Sequence, residues 1–323
     1  MRAPFLPRRA LFALAAAPAL PAAAQTRPDG PVTIIVPFTP GTVQDILARL
    51  LAPFLQSALG QPVVVDNRSG ASGVIGTGAV ARAAPDGRTL LIQGVPFVMA
   101  PPLMRALPYD PATGFTPITR ICEGHVLLCV HPSLPVRSVE EFVALARARG
   151  GELDYGSPGN GTAHHMIMEL FRLRAGIRLT HIPYRGTAPA VQDLLGGRIP
   201  AMMVPVPVAL PHVQGGRLRA LAIGSERRSP ELPTVPTFAE AGYPLEGATL
   251  WYGLFGPPAM PPPLVAALHA LVREWLADPR TAETLRAQML EPLAEPPDAF
   301  AAFIARQLPH WAQVVREAGI EAG

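Results

Sequence analysis

Residues 32–59 determine the architecture: they read Val32-Thr-Ile-Ile-Val36, then Pro37-Phe-Thr-Pro-Gly-Thr42, then a longer stretch from Val43 to Leu59. The first part is a continuous apolar run, which is typical of a strand buried on both faces of a parallel sheet. The last part repeats its apolar residues every three or four positions, as an amphipathic helix does. Gly60 then provides a stop signal, so the sequence predicts a strand, a loop and a helix in that order.

The same strand–helix order recurs along the chain. Val63-Val64-Val65 predicts a second strand, a glycine-rich turn leads into a helix that ends near Ala84, and Thr89–Ile92 predicts a third strand. This β-α-β-α-β order is the pattern of a doubly wound sheet. The other predicted strands are 117–121, 126–130, 154–155, 179–183, 201–204, 218–223 and 251–255. The other predicted helices begin at 139 and 163 or cover 188–195, 263–277, 281–289 and 298–318.

Two alternating blocks of this kind indicate a binding protein. The second block begins near Leu153, and its strand–loop–helix units match those of the first block. Parallel α/β sheets bind ligands outside the carboxyl ends of their strands, and two such ends that face each other across a cleft describe a clamshell. We therefore expect an α/β protein with two lobes, each a mostly parallel sheet flanked by helices.

Two loops carry the candidate chemistry: Phe38–Val43, with Asp45 behind it, and Ser157–Thr162. Each loop places backbone N–H groups at the start of a helix, where they lack intrahelical acceptors and lie at the positive end of the helix dipole. A carboxylate binds at such a position without an arginine. Either loop alone is also compatible with a simple helix cap, but two loops in matching positions favour a binding site. Arg185, which follows a strand end, either binds a ligand carboxylate or faces water.

The N-terminus predicts a cleaved export signal. Arg2, Arg8 and Arg9 precede an apolar run from Ala10 to Leu20, and the alanines that end at residue 24 match the small-residue pattern of a cleavage site. The apolar run is shorter than the roughly 20 residues that a membrane span needs. The adjacent arginines leave ordinary secretion and twin-arginine export both open. We therefore assign residues 1–24 to the signal.

The net charge of +3 lies entirely in this signal, which contains three of the 27 basic residues and no acidic residue. The rest of the chain has 24 arginines and 24 acidic residues. The basic isoelectric point therefore gives no support for a nucleic-acid partner, and we expect none. The chain also has no lysine, which excludes Schiff-base lysines and phosphate-loop lysines.

The motifs of common enzymes and metal sites do not match. The segment Gly159-Asn-Gly161 has His164 where a dinucleotide-binding loop needs its third glycine. Ser157 has Tyr155 two positions before it, where the motif of a hydrolase nucleophile needs glycine. His164 and His165 are adjacent, without the i, i+4 spacing of a helical zinc site. We interpret them as surface or loop-packing residues, and we predict no catalytic residue, no metal ligand and no cofactor.

The two cysteines are Cys122 and Cys129. In one extended strand they lie about 23 Å apart, too far for a disulfide, whereas a turn at Glu123-Gly124 would bring them closer. We expect two buried thiols rather than a disulfide.

Short motifs in a fixed order connect the chain to a known family. They are Ile34-Ile-Val-Pro-Phe38-Thr-Pro-Gly41, Asp45-Ile-Leu-Ala-Arg49, Gly60-Gln-Pro-Val-Val-Val-Asp-Asn-Arg68, Leu107-Pro-Tyr-Asp-Pro111, His131-Pro-Ser-Leu-Pro135, Ser157-Pro-Gly-Asn-Gly-Thr162, Ile182-Pro-Tyr-Arg-Gly186 and Asp193-Leu-Leu-Gly-Gly197. Each motif alone is weak. Taken together, they make the sequence resemble the periplasmic substrate-binding receptors of tripartite tricarboxylate transporters, also called Bug-type receptors.

The resemblance implies a Venus-flytrap fold, with residues 25–129 and 250–323 in the first lobe and 130–249 in the second. It implies a periplasmic, non-catalytic receptor that binds a small organic carboxylate in the cleft and delivers it to the permease subunits of a membrane transporter. We expect the receptor to be a monomer. The candidate ligand-binding residues are Phe38, Thr39, Pro40, Gly41, Thr42, Val43, Asp45, Gln93, Gly94, Ser157, Gly159, Asn160, Gly161, Thr162, Tyr184, Arg185 and Val204.

The chain departs from the family pattern at three places, one of which is Val208, where the family has a small polar residue. The family's second glycine after Gly41 is Thr42 here, and the family's Asp and Asn after strand 201–203 are replaced by Val204 and Pro205. The loss of an acid disfavours a ligand with an amino group. The apolar replacements favour a larger apolar body, such as an aromatic or branched monocarboxylate.

Two other functions remain open at the level of sequence. One is an exported hydrolase that uses Ser157 with a histidine. The other is a sensor subunit that passes its closed state to a signalling partner.

Overall fold

The structure is a computed structural model that describes residues 26–104 and 106–320, so the predicted signal at residues 1–24 lies outside the described residues. The strands are β1 (Val32–Val36), β2 (Val63–Asn67), β3 (Thr89–Gly94), β4 (Thr116–Gly124), β5 (Val126–Val130), β6 (Asp154–Ser157), β7 (Thr180–Pro183), β8 (Ala201–Pro205), β9 (Arg219–Ile223), β10 (Leu250–Gly256) and β11 (Glu291–Glu295). The α-helices are α1 (Val43–Leu59), α2 (Val74–Ala81), α3 (Pro96–Met99), α4 (Val139–Ala148), α5 (Ala163–Ala175), α6 (Thr187–Leu195), α7 (Val206–Gln214), α8 (Pro262–Ala277), α9 (Pro279–Ala287) and α10 (Pro297–Ala318).

The strands form two sheets, with orders β11-β4-β10-β3-β1-β2 and β7-β6-β8-β5-β9. In the first sheet β1 pairs in parallel with β2 and β3, and in the second β6 pairs in parallel with β7 and β8. However, β10 runs antiparallel between β3 and β4, and β5 runs antiparallel between β8 and β9. The expected α/β fold is confirmed, but the sheets are mixed rather than mostly parallel.

The antiparallel strands result from the way in which the chain crosses between the sheets. The first crossover is at His125, between the end of β4 and the start of β5. The start of β5, Val126, lies beside the end of β8, and the start of β10, Leu250, lies beside the end of β4. A strand that begins at a crossover must run away from the crossover, whereas β1, β3, β6 and β8 run towards it. The loops after those four strands therefore lie where the two sheets adjoin.

The division into lobes follows the sheets. The expected boundary after Cys129 falls inside β5, which lies entirely in the second sheet. We therefore propose that the first lobe comprises residues 26–124 and 250–320, and that residues 126–249 form the second lobe.

Helix α1 shows how the sequence fixes the first loop. Thr42 caps its start, and Gly60 ends it in the left-handed conformation, with its N–H donating to the Gln56 carbonyl. Leu47 and Leu51 are completely buried on one face of the helix. The predicted bounds of α1 are confirmed, and the loop before it is held by a helix that packs on the sheet.

Helices α3 and α7 and strand β11 were not predicted from the sequence. Helix α7 contains Pro207 and Pro211, and proline removes a backbone donor from a helix. Pro207 lies in the first turn, where that donor has no intrahelical acceptor. Strand β11 contains Pro292 and lies at the edge of its sheet, where proline is tolerated.

Cys122 lies on β4 and Cys129 on β5, in different sheets, and both are free and buried. Burial raises the pKa of both thiols. The prediction of two buried thiols is therefore confirmed. Among the described residues, no helix combines the length and the apolar character that crossing a membrane requires.

Candidate functional site

The loop between β1 and α1 is closed by its own hydrogen bonds. The Thr42 hydroxyl accepts a hydrogen bond from the Asp45 N–H at 3.4 Å and donates one to the Thr39 carbonyl at 3.2 Å. Gly41 has a φ of 87°, in the left-handed region, and its N–H donates to Asp45 Oδ2 at 3.0 Å. Glycine meets this backbone requirement without strain, and the Asp45 carboxylate forms part of the loop's framework.

Asp45 is almost completely buried and has three further hydrogen-bond contacts. Arg49 contacts both of its oxygens, with Nη2 3.0 Å from Oδ1 and Nε 3.1 Å from Oδ2. Asn67 donates from Nδ2 to Asp45 Oδ1 at 2.9 Å and to the Phe38 carbonyl at 3.1 Å. Burial by itself would raise the pKa of Asp45, but hydrogen bonds from Arg49, the Gly41 N–H and Asn67 hold that pKa below its ordinary value. The first loop therefore contains an ionised carboxylate.

The loop between β6 and α5 repeats this pattern of bonds. The Thr162 hydroxyl accepts from the His165 N–H at 3.5 Å and donates to the Gly159 carbonyl at 2.8 Å. Gly161 has a φ of 72°, and its N–H donates to His165 Nδ1 at 3.1 Å. A Cβ on Gly161 would lie 2.5 Å from Leu103 Cδ1, in the first lobe. The second loop thus has a histidine where the first loop has an aspartate, and it approaches the other lobe closely.

His165 and His181 stack with their ring centroids 4.0 Å apart and 14° between the planes. Tyr155 continues the stack at 4.9 Å from His181. Burial, the proximity of His181 and the charge of Arg172 lower the pKa of His165 to about 3, so its ring is neutral near pH 7. The loop-packing role predicted for His165 agrees with this geometry.

Ser157 and His181 form the serine–histidine contact that a hydrolase would need, with Oγ 2.7 Å from Nε2. The Ser157 side chain is completely buried, and its Oγ also accepts from the Gly159 N–H and donates to the Gly159 carbonyl. No described residue gives His181 a second hydrogen bond, so no carboxylate orients its ring. The contact fixes the second loop rather than presenting a nucleophile to a substrate.

Three other predicted residues, Gln93, Gly94 and Val204, lie in strands and have structural roles there. Gln93 is buried, donates to Thr77 Oγ1 at 3.2 Å and accepts from the Gly94 N–H at 2.9 Å. A Cβ on Gly94 would lie 2.7 Å from the Trp251 carbonyl, so a side chain does not fit there. Val204 is completely buried among the apolar residues of the second lobe.

The other predicted residues lie in the first loop or in and beside the second loop. The Tyr184 hydroxyl donates to Asp193 at 2.9 Å, and the Tyr184 carbonyl lies 3.3 Å from a Cβ placed on Gly159. Arg185 is exposed and has no ion pair with a described residue. Thr39 and Pro40 are exposed in the first loop.

A cavity of about 590 Å³ lies beside α5, between the two lobes. It starts at Asn160 and Gly161, the only two of the predicted residues that line it, and extends to the end of α10. The other lining residues are Ser72, Ala100, Leu103, Met104, His165, Glu169, Arg172, Leu179, His181, Ala318 and Ile320. Sequence analysis missed them because they come from segments far apart in the chain. The one local signal is the i, i+3 spacing of Glu169 and Arg172 on α5.

Among the described residues, one group could hold a metal ion, and it includes no residue of the two loops. Glu123, His125 and Glu291 place ligand atoms within 4.8 Å of one another at the first crossover. Arg120 Nη1 lies 3.6 Å from the Glu123 carboxylate and competes with a cation there. Burial raises the pKa of Glu123, which weakens it as a metal ligand at low pH.

Comparison with known proteins identifies the family. A model of the "Tripartite tricarboxylate transporter family receptor" matches residues 47–320. This chain belongs to that receptor family. Protein BugT of Bordetella pertussis is 40% identical over 311 residues, which cover 96% of this chain and 95% of BugT. The resemblance inferred from the sequence motifs is thereby confirmed.

Solved structures of related receptors have the same two-lobed fold. R. palustris Rpa4515 with adipate has a TM-score of 0.77 at 36% identity and covers 91% of this chain and 99% of its own. MatC from Rhodopseudomonas palustris with bound malate has a TM-score of 0.74 at 32% identity and covers 89% and 99% of the two chains. The expected fold of a periplasmic binding protein is confirmed, and both of these relatives hold carboxylates.

Proposed function

We propose that this receptor binds a small organic carboxylate between its lobes in the periplasm and delivers it to the membrane subunits of a tripartite tricarboxylate-type transporter. The observation that carries the proposal is the matched pair of Gly-Thr caps after β1 and β6. Both loops follow strands that run towards the crossovers, where open α/β sheets bind their ligands. The carboxylates held by the two structural relatives support the same ligand class.

Each capped helix keeps free donors for an anion. The caps use the third N–H of α1 and of α5, so the N–H groups of Val43, Gln44, Ala163 and His164 have no intrahelical acceptor. Both ring nitrogens of His164 are buried without a hydrogen-bond partner among the described residues. Buried polar atoms are rarely left unpaired, so a ligand or water at the start of α5 accounts for them.

The crossovers suggest how binding is coupled to delivery. The chain crosses between the lobes at His125 and again just before β10, so a rigid-body rotation needs changes at few backbone positions. A ligand that contacts both loops has more contacts when the lobes are closed, and it therefore shifts the population towards the closed form. A permease that recognises the closed form would receive only loaded receptor.

Calorimetry and thermal unfolding of the mature protein test the proposal. Malate, adipate, hexanoate and benzoate serve as probes, with glucose and hexylamine as uncharged and cationic controls. We expect at least one carboxylate to raise the melting temperature and to bind stoichiometrically, with no product formed over hours. If no carboxylate binds, or if one is converted to product, the proposal is wrong.

Delivery requires a separate measurement in cells. A strain that lacks the gene should lose uptake of the identified carboxylate and recover it when the gene is restored. If uptake is unchanged and a transcriptional response to the carboxylate is lost instead, the protein is a sensor. Light scattering of the mature chain tests the expected monomer.

A further inference from the structure

We propose that the cavity beside α5 holds the uncharged body of the ligand, so that the receptor prefers a monocarboxylate with an apolar chain or ring and a distal hydroxyl or carbonyl group over a dicarboxylate. The inference rests on the proposed function, because the cavity begins at Asn160 and Gly161 in the second loop. The inference specifies the chemical groups in the part of the ligand that the two loops do not bind.

The size and the wall of the cavity fit an organic body. Its volume of about 590 Å³ lies within the range of roughly 300–1,000 Å³ that is usual for small-molecule sites. Apolar side chains line it from three directions: Leu103 and Met104 from the first lobe, Leu179 from the second, and Ile320 after α10. Apolar groups of a ligand would be buried against these side chains.

The charged groups in the wall neutralise each other. Arg172 contacts Glu169 through Nη2 at 2.7 Å and Nε at 2.8 Å, and its Nη2 also donates to the Ala318 carbonyl at 3.4 Å. The other Glu169 oxygen accepts from the Tyr155 hydroxyl at 2.6 Å. Among the described residues, the wall therefore has no unpaired cation for a second carboxylate. Burying an unpaired charge is costly, and the Glu169 carboxylate would repel a second carboxylate of the ligand.

His165 supplies an unpaired donor instead. His165 is 4% exposed, and its Nδ1 accepts a hydrogen bond from the Gly161 N–H. A neutral imidazole that accepts at Nδ1 carries its proton at Nε2. No described residue accepts a hydrogen bond from that Nε2, and His165 lines the cavity. An uncharged oxygen of a ligand in the cavity would accept a hydrogen bond from this donor.

A ligand series of constant length tests the preference. Hexanoate, 6-hydroxyhexanoate and adipate differ only at the distal end, which is a methyl, a hydroxymethyl or a carboxylate group. We expect the mature protein to bind 6-hydroxyhexanoate at least threefold more tightly than hexanoate and at least tenfold more tightly than adipate. Adipate binding as tightly as 6-hydroxyhexanoate would overturn the inference.

Two matched variants test whether the cavity is responsible. Ala318→Phe places a ring in the cavity from the last residue of α10, and Ala287→Phe makes the same change at the exposed last residue of α9. We expect the first variant to weaken 6-hydroxyhexanoate binding at least tenfold and the second to change it less than twofold. Equal effects of the two variants would place the ligand elsewhere.

His165→Phe keeps an aromatic ring in the stack but removes the donor. The affinity ratio of 6-hydroxyhexanoate to hexanoate should fall to about one, and this ratio cancels a general loss of affinity. A ratio that remains at the wild-type value would contradict the role of His165. If none of the three acids binds and the broader carboxylate panel also fails, the proposed function itself is wrong. If the panel binds but the ratios are not as expected, only the inference fails.

Discussion

The segments 39–45 and 159–165 adopt the same local structure in the two lobes. In each, a threonine caps a helix, its hydroxyl donates to the carbonyl three residues earlier, and a left-handed glycine donates its N–H to the side chain four residues later. That side chain is Asp45 in the first lobe and His165 in the second. The same set of loop hydrogen bonds is therefore completed by an ionised carboxylate in the first lobe and by a neutral imidazole ring in the second.

This difference gives the N-termini of α1 and α5 different roles in binding a ligand carboxylate. A ligand carboxylate at α1 meets the fixed negative charge of Asp45, which Arg49 and Asn67 compensate. At α5 it meets no fixed negative charge in the loop, because His165 is neutral. The dipole of each helix attracts an anion to its N-terminus, so the second loop, without a fixed negative charge, is the more favourable place for the charged end of a ligand. The first loop then encloses the ligand from the side of the first lobe.

The largest effect is expected from removing the buried charge. Asp45→Ala leaves the Gly41 N–H, Asn67 Nδ2 and Arg49 without their shared acceptor. A donor that is left without its acceptor away from water costs roughly 1–3 kcal/mol, so loss of this shared acceptor should lower the free energy of unfolding by about 3 kcal/mol, measurable by urea denaturation. Arg49→Ala is the matched control; because that side chain is 54% exposed, its loss should cost about 1 kcal/mol or less. Equal losses would show that the network depends on the arginine rather than on the burial of the aspartate.

The loops should also differ in their response to pH. The pKa of His165 is lowered from 6.5 to about 3 in the folded protein, so between these values the unfolded chain binds more protons. Its contribution to stability is complete above pH 6.5 and is lost as the pH falls, at about 1.4 kcal/mol per pH unit. His165→Gln should reduce the slope of unfolding free energy between pH 6 and pH 4 by that amount.

Asp45 provides the opposite control. Its pKa in the folded protein lies below the ordinary 3.8, so its contribution is present above pH 3.8 and is lost only as the pH falls below that value. Asp45→Asn should therefore leave the slope between pH 6 and pH 4 unchanged. A change in that range would mean that the two loops titrate together, against the independence that their separate networks imply.

The sequence predicted both loops because their chemistry is local. Gly41, Thr42, Gly161 and Thr162 lie directly before amphipathic helices, and a cap needs only neighbouring residues. The place of Asp45 in the loop was also predicted, but its inward role depends on Asn67, at the end of another strand. Spacing along the chain does not reveal that contact.

The cavity and the mixed sheets could not be predicted in this way. The cavity depends on Leu103, Leu179 and Ile320, which meet only when the segments after α3, before β7 and after α10 come together beside α5. The direction of β5 and β10 depends on where the chain crosses between sheets, and an apolar strand reads the same in either direction. Short-range patterns identify elements, whereas crossovers and interlobe surfaces are set by tertiary packing.

The smallest effect is expected from the two threonine caps. Thr42→Ala and Thr162→Ala each remove two hydrogen bonds: the cap bond, which is long at 3.4 and 3.5 Å, and the bond that the hydroxyl donates to the carbonyl three residues earlier. Each change should therefore cost about 1 kcal/mol, the typical value for cap removal. Because the caps lie in different lobes without a shared partner, the double variant should lose the sum of the two values in the absence of ligand. With a saturating carboxylate that contacts both loops, the two losses should no longer add, since the ligand then couples the caps. Additivity in both conditions would mean that the ligand contacts one loop only.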